Sequence, residues 1–279
     1  MAGCAITSAY NVIITQRDVN VPALIEKVTK NLLGVPIDSI SFANAIDRVL
    51  VWGHTHQSRY VVLANVHVVV TASKNPDFGQ VVASANMAAP DGAPVAWMMR
   101  QLGAVHQTRV TGPDLTWALL GRCESEGLPV YFFGSSRETL VRLAEHITAA
   151  FPALPVAGFE APPFRPLTEQ EDADVVERIN ASGAGLVFVG LGCPKQECWM
   201  HAHRGRVNAV MLGVGAAFDF HAGTVSRAPA WMRDHGLEWL HRLISEPGRL
   251  WKRYLVTNTL FVIGAIRQLA AQRFFSGKS

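Results

Sequence analysis

From residue 59 to residue 214, short wholly apolar runs alternate with amphipathic stretches. Residues 59–65 (RYVVLAN) predict a buried strand, 78–86 a helix, and 87–90 a short strand ending in the turn pair Asp91-Gly92. Asp114 stands where an N-cap is expected for a helix running to Glu126. Residues 128–133 predict a strand that stops at Gly134, after which Ser135 or Ser136 caps a helix reaching Phe151. Thr168 and Glu171 form a T-x-x-E capping box for a helix ending near Ser182. Residues 186–189 and 207–214 predict two further apolar strands, and the proline-rich stretch 161–166 reads as a surface connection between strand and helix. Strands that are apolar throughout and separated by helices predict a parallel sheet covered on both faces, hence a Rossmann-like α/β fold with helices on each side.

In an open α/β sheet the ligand sits at the carboxyl ends of the strands. That rule selects five loops: residues 65–67, 91–92, 134–136, 190–196 and 213–219. Asp91 in Ala89-Pro90-Asp91-Gly92 places a carboxylate at a strand end; it either caps the following helix and makes the turn, or serves as a base or a hydroxyl ligand. Residues 190–197 (GLGCPKQE) run from strand through a glycine loop to a helix start, where backbone N–H groups can approach a phosphate; an ordinary tight turn has the same residues. Residues 213–219 (GVGAAFD) begin like a dinucleotide fingerprint, but Phe218 occupies the third glycine position and no suitably spaced acid follows.

Gly134-Ser135-Ser136 reads as a helix start able to hold a phosphate, not as a serine-nucleophile elbow. Cys193, Cys198, His201 and His203 invite a zinc reading, but their spacing puts only Cys198 and His201 on one helical face, and no metal is expected. For His54, His56 and His67 a loop or core setting is the default.

Composition changes the picture at one end of the chain. Residues 225–279 hold nine Lys or Arg against three acids, a net of +6, whereas the remainder is −3. A basic tail on a slightly acidic body predicts a local anionic partner rather than a coat on nucleic acid. The apolar segment 254–269 carries Asn258, Arg267 and Gln268 and reads as too short and too polar to span a bilayer, which takes roughly 20 apolar residues; it suits the interface of an anionic membrane surface. The N-terminus carries no basic stretch followed by an apolar run, and four scattered cysteines fit a reducing compartment. The expected organisation is an extension over 1–34, an α/β core over 35–224 and a basic appendage over 225–279.

Taken together, LANVHVVVTA (63–72), APDGAPVAWMMRQLG (89–103), RVTGPDL (109–115), LPVYFFG (128–134), GLGCPKQECW (190–199), GVGAAFDFHAG (213–223) and RAPAWMRDHGLEWLHRLISEPGRLWKRYL (227–255) resemble the bacterial WecG/TagA/CpsF family, glycosyltransferase family 26. The resemblance implies transfer of a sugar from a UDP-sugar donor to an undecaprenyl-pyrophosphate-linked saccharide, with inversion. It implies no cofactor and no metal, and a location on the cytoplasmic face of the cell membrane.

Carried over by motif, Asp91 is the general base and Asn65 supports the sugar. Arg109, Gln196 and the loop residues Gly134, Gly190, Gly192, Gly213, Gly215 and Asp219 form the donor site. Arg242, Arg249 and Arg253 meet the acceptor pyrophosphate. Leu63 replaces the threonine that many members carry, which implies a donor other than N-acetylmannosamine. The ANVH and DGAPVAW variants look closer to exopolysaccharide enzymes. Two rivals are an NAD-dependent oxidoreductase on the same fold and a non-catalytic member that scaffolds polysaccharide assembly.

Overall fold

The structure is a computed structural model describing residues 27–276. Its strands are β1 (Thr29–Leu32), β2 (Val35–Asp38), β3 (Arg59–Ala64), β4 (Met87–Pro90), β5 (Val130–Gly134), β6 (Val156–Glu160), β7 (Leu186–Gly190) and β8 (Val210–Gly213). Its helices are α1 (Phe42–His54), α2 (Val66–Lys74), α3 (Pro76–Ala83), α4 (Ala93–Gln101), α5 (Gly112–Glu126) and α6 (Arg137–Ala150). They continue with α7 (Glu169–Ala181), α8 (Lys195–His203), α9 (Ala217–His221), α10 (Ala230–Asp234), α11 (Glu238–Ser245) and α12 (Pro247–Ser276).

Strands β3 to β8 form one parallel sheet in the order β4-β3-β8-β7-β5-β6. Successive side chains of a strand point to opposite faces, and here both faces are apolar. Val62, Ala64, Val187, Val189 and Met211 enter one core, beneath α2, α3, α4, α7, α8 and α12. Val61, Leu63, Leu186, Phe188, Val210 and Leu212 enter the other, beneath α1, α5, α6 and α9. This is the Rossmann-like sheet expected from the unbroken apolar runs.

Several boundaries move for identifiable reasons. Helix α5 starts earlier than expected: Thr111 is its cap residue and Pro113 lies in its first turn, so Asp114 is inside the helix, where it accepts the Thr111 hydroxyl at 2.6 Å. Residues 65–67 are not a loop, because Asn65 caps α2 by accepting the Val68 N–H at 3.2 Å. The helix expected over 78–86 begins at Pro76 with Asn75 as its cap. Ser136 caps α6, and the Thr168/Glu171 capping box forms in full. The Asp91-Gly92 turn leads into α4, with Gly92 at φ +88.

The segment read as too short for a membrane is part of α12, a single helix of 30 residues. Within it, Leu250–Phe274 is long and apolar enough to cross a bilayer by length and composition. One stripe of it (Leu250, Thr257, Phe261 and Ala265) is buried against the body, chiefly along α2. Its far end meets the β1–β2 hairpin, whose turn contains the expected 34/35 boundary. Gln268 accepts from the Leu33 N–H at 2.9 Å and donates to the Asn31 carbonyl at 2.6 Å.

The carboxyl ends of β5 and β7 approach backbone to backbone. Gly134 has φ +123, and a Cβ there would stand 2.6 Å from the Gly190 carbonyl carbon. Gly134→Ala is therefore expected to destabilise the protein by about 1–3 kcal/mol. Urea unfolding checks this, and a midpoint equal to that of the unmodified chain would refute it.

Candidate active site

Asp91 sits where β3 and β4 end side by side. Its N–H donates to the Ala64 carbonyl at 3.1 Å, and the Val110 N–H donates to the Pro90 carbonyl at 2.7 Å. The Asn65 carboxamide uses its oxygen to cap α2, which leaves its NH₂ to donate to the Asp91 carboxylate. Burial pushes the Asp91 carboxyl up to about 7, and the Glu238 carboxylate adds to the rise against the pull of Asn65, Arg242 and Arg109. A carboxylate with that proton affinity can accept or release a proton at neutral pH.

The basic tail lies against this turn. Gly236, at φ +71, packs so tightly that a Cβ there would stand 2.6 Å from the Ala93 Cβ. Asp114 on α5 receives Arg227 at 2.7 Å, with Arg233 at 3.9 Å, and Arg109 meets Asp234 at 3.9 Å. The Arg227 Nε stands 3.7 Å from Glu238, which brings that second carboxylate over the Asp91 turn. Arg242 lies over the Phe220 ring at 5.4 Å and reaches Glu246 at 3.6 Å. Arg253 is close enough to influence both His67 and Cys193, so it spans the ends of β3 and β7.

Among the described residues, the buried Nε atoms of Arg233, Arg242 and Arg253 have no hydrogen-bond partner, and that of Arg227 has only the Glu238 carboxylate at 3.7 Å. The Nδ1 atoms of His67 and His241 are likewise buried and unpartnered. Buried polar atoms are normally satisfied, so this many open guanidinium donors beside one carboxylate marks a place built for an anion. His67 is held neutral, pushed down to about 4 by burial and by Arg253.

The residues expected at the donor and at the acceptor pyrophosphate divide into two groups. Asn65, Arg109, Arg242 and Arg253 gather around the Asp91 turn and the adjoining strand ends. The backbone of Arg249 lies in α12, while its side chain falls outside the described residues. Gln196 does not project toward a ligand. It is buried, and its amide is engaged with Gly192 and Glu197. Gly190 abuts the Phe218 ring, and Asp219 lies in α9, where its carbonyl accepts the Thr224 N–H at 3.1 Å.

Ser135 adopts a left-handed φ of +62, and its N–H donates to the Gly190 carbonyl at 3.0 Å. Such strain in a non-glycine residue collects at functional sites. Leu63 is buried and its side chain points toward Gly112, on the far side of the sheet from α2. His203 pairs with Asp172 at 2.9 Å and His201 meets the Tyr60 hydroxyl at 3.1 Å, so the cysteine–histidine group considered for zinc faces separate neighbours. His67, Glu238, Arg227, Arg233 and Asp114 were missed as site residues. In the sequence these arginines are signalled by the +6 balance of the tail and by the 227–255 motif.

A parallel α/β sheet whose strand ends hold a proton-accepting carboxylate beneath arginines with buried, unbonded Nε atoms defines a Rossmann-like enzyme that handles an anionic substrate. The sequence profile described as the glycosyl transferase WecG/TagA/CpsF family matches residues 30–274. The chain is 32% identical over 201 residues to the N-acetylglucosaminyldiphosphoundecaprenol N-acetyl-beta-D-mannosaminyltransferase of Bacillus spizizenii W23, covering 72% of this chain and 76% of that one. It is 33% identical over 192 residues to the protein of the same name from Bacillus subtilis 168, covering 68% and 73%. The chain belongs to the WecG/TagA/CpsF family and is a glycosyltransferase.

Asp114 is the core carboxylate that seats the appendage. Asp114→Asn is expected to weaken that seat by about 1 kcal/mol, the upper range for a partly exposed pair. Limited proteolysis within residues 225–245 is then expected to run roughly fivefold faster, with no change in cleavage elsewhere. An unchanged rate would remove Asp114 from this role.

Proposed function

We propose that this glycosyltransferase moves a sugar from a UDP-sugar to a saccharide linked through pyrophosphate to undecaprenol, in exopolysaccharide or cell-surface polysaccharide assembly. The observation that carries this reading is Asp91, desolvated at the strand ends beneath arginines whose Nε atoms have no partner. The names of both relatives describe an acceptor built on diphosphoundecaprenol, the kind of anion that such arginines suit.

In the proposed step Asp91 takes the proton from an acceptor hydroxyl as that oxygen attacks C1 of the donor sugar. The C1–oxygen bond to the β-phosphate breaks, its electron pair leaves with UDP, and attack from the opposite face inverts C1. One base suffices, because the leaving phosphate needs charge stabilisation rather than a general acid. Arg109 and Arg242, which flank Asp91, and Arg253 across the strand ends are the candidates to supply it. On this reading the reaction needs no metal, and activity is expected to survive EDTA.

We place the enzyme at the cytoplasmic face of the membrane as a peripheral protein. Helix α12 turns Leu250, Phe261 and Ala265 inward while Trp251, Leu255, Val262 and Ile266 are exposed on its outer side. A spanning helix would have to abandon α2 and the Gln268 bonds to the hairpin. Lying in the interface, α12 keeps both, with its basic residues toward lipid phosphates. The triple variant Trp251→Ser, Leu255→Ser, Ile266→Ser is expected to lose at least tenfold in binding to anionic phospholipid vesicles while remaining folded. Full retention would refute the interfacial placement.

The direct test is UDP release from a panel of UDP-sugars with a polyprenyl-pyrophosphate-linked acceptor. Asp91→Asn is expected to lower the rate by about 10²–10⁴-fold. Only the ionised carboxylate is a base, so activity should rise with pH through about 7. Glu238→Gln removes a neighbouring negative charge, lowers the Asp91 pKa and should move that rise to lower pH.

A raised carboxyl pKa also favours the folded state at low pH. That contribution is lost as pH climbs from the ordinary 3.8 through about 7. At pH 8 the Asp91→Asn protein should therefore melt at or above the unmodified one. Retained turnover in that variant would remove Asp91 as base.

A further inference from the structure

The loops that follow β7 and β8 stand next to each other, and one side chain braces them. The Gly192 N–H donates to the Gln196 Oε1 at 3.1 Å, which leaves the Gln196 Nε2 to donate to the Glu197 Oε1 at 2.9 Å. The same amide is wedged against the second loop. A Cβ at Gly213 would stand 3.0 Å from Nε2, and one at Gly215 would stand 3.5 Å from Oε1. Gln196 is thus the strut between the two glycine loops, and its orientation is dictated from both ends.

Glu197 holds the inner end of that strut, and it is an unusual residue for the place. Its side chain is fully buried, at 0% exposure, and its second oxygen, Oε2, has no hydrogen-bond partner. Its nearest polar neighbour besides Gln196 is the Cys193 thiol, itself held well above the usual thiol range by burial and by this carboxylate. Burial holds the Glu197 carboxyl above its ordinary value too. A buried carboxyl group with an unmet acceptor lowers stability, but an apolar side chain here would leave the buried Gln196 Nε2 without its acceptor, a comparable cost. The two costs offset, so what the acid supplies at this position is a fixed acceptor for the Gln196 amide.

We propose that Glu197 is a positioning residue of the transfer reaction: by accepting the Gln196 amide it fixes the spacing of the two glycine loops that receive the donor's diphosphate. Glu197 itself never reaches the donor. The Gly192 N–H is occupied by Gln196, so the shape these loops present depends on how firmly that bond is held. The inference rests on the reading of the donor as a UDP-sugar.

The experiment measures UDP binding by calorimetry, and stability by thermal unfolding, for the full chain and for Glu197→Gln and Glu197→Leu. Gln at 197 keeps an acceptor oxygen and is expected to bind UDP within about threefold of the unmodified chain. Leu at 197 removes the acceptor and should weaken UDP binding at least tenfold while melting within a few degrees of the unmodified protein. In turnover its loss should fall on the donor KM rather than on kcat.

Unchanged UDP affinity in Glu197→Leu would overturn the proposal. So would a loss of affinity accompanied by a matching loss of stability, failure to fold included, because that pattern assigns Glu197 to the fold. An equal loss in Glu197→Gln would overturn the acceptor role. If the unmodified chain binds no UDP, the donor reading fails first and this inference falls with it.

Discussion

The contact between the appendage and the Asp91 turn is the constraint on which the rest of the site depends. Asp91 has its raised proton affinity because it is desolvated, and because Glu238, carried by the appendage, adds a like charge. Of the arginines that offset that charge, Arg242, the stronger, comes from the appendage, and Arg109 from the core. Without the seat formed by Gly236 on Ala93 and by Arg227 and Arg233 on Asp114, Asp91 would be an ordinary strand-end carboxylate. The core supplies the carboxylate, and the tail contributes the Glu238 and Arg242 charges that tune its proton affinity.

Much of the frame was legible because it is local. An unbroken apolar strand, a T-x-x-E box or a serine before a helix carries its own physical cause within a few residues, and the sheet, α7 and α6 follow from those signals. The half-buried edge strand β6 (VAGFE) carries no such signal, since neither a continuous apolar run nor a clean alternation marks it. Asn65 looked like a loop residue because the strand passes into α2 with a single residue between them. Asp91 could be picked out as a strand-end carboxylate, but its proton affinity could not, because Glu238 is 147 positions away in the chain.

Gln196 shows the same limit from the other side. Its place after a glycine loop and at a helix start suggests a ligand contact, yet the neighbouring Gly213 and Gly215 leave room for its amide to turn inward. Only the pairing of β7 with β8 brings those glycines alongside it, and that pairing spans more than 20 residues. In α12 the difficulty is instead one of composition. The helix is apolar on its inner stripe and on its outer side, so no single amphipathic face stands out, and a window cut at Asn258 or Arg267 understates its length.

A base held near pH 7 suits this chemistry better than a fully ionised one. Proton transfer is most effective when the base is close in pKa to the operating pH, since a weaker base is more often ionised but takes the proton less readily. An ordinary aspartate would lie several units too low. The appendage corrects this with charges of both signs, and the balance between them shifts when an anion arrives. In the proposed reaction a bound diphosphate draws on the arginine donors and screens their pull on Asp91, which strengthens Asp91 as a base. On the proposed reading the base is therefore strongest when substrate fills the site, and the appendage both holds the anion and times the proton transfer.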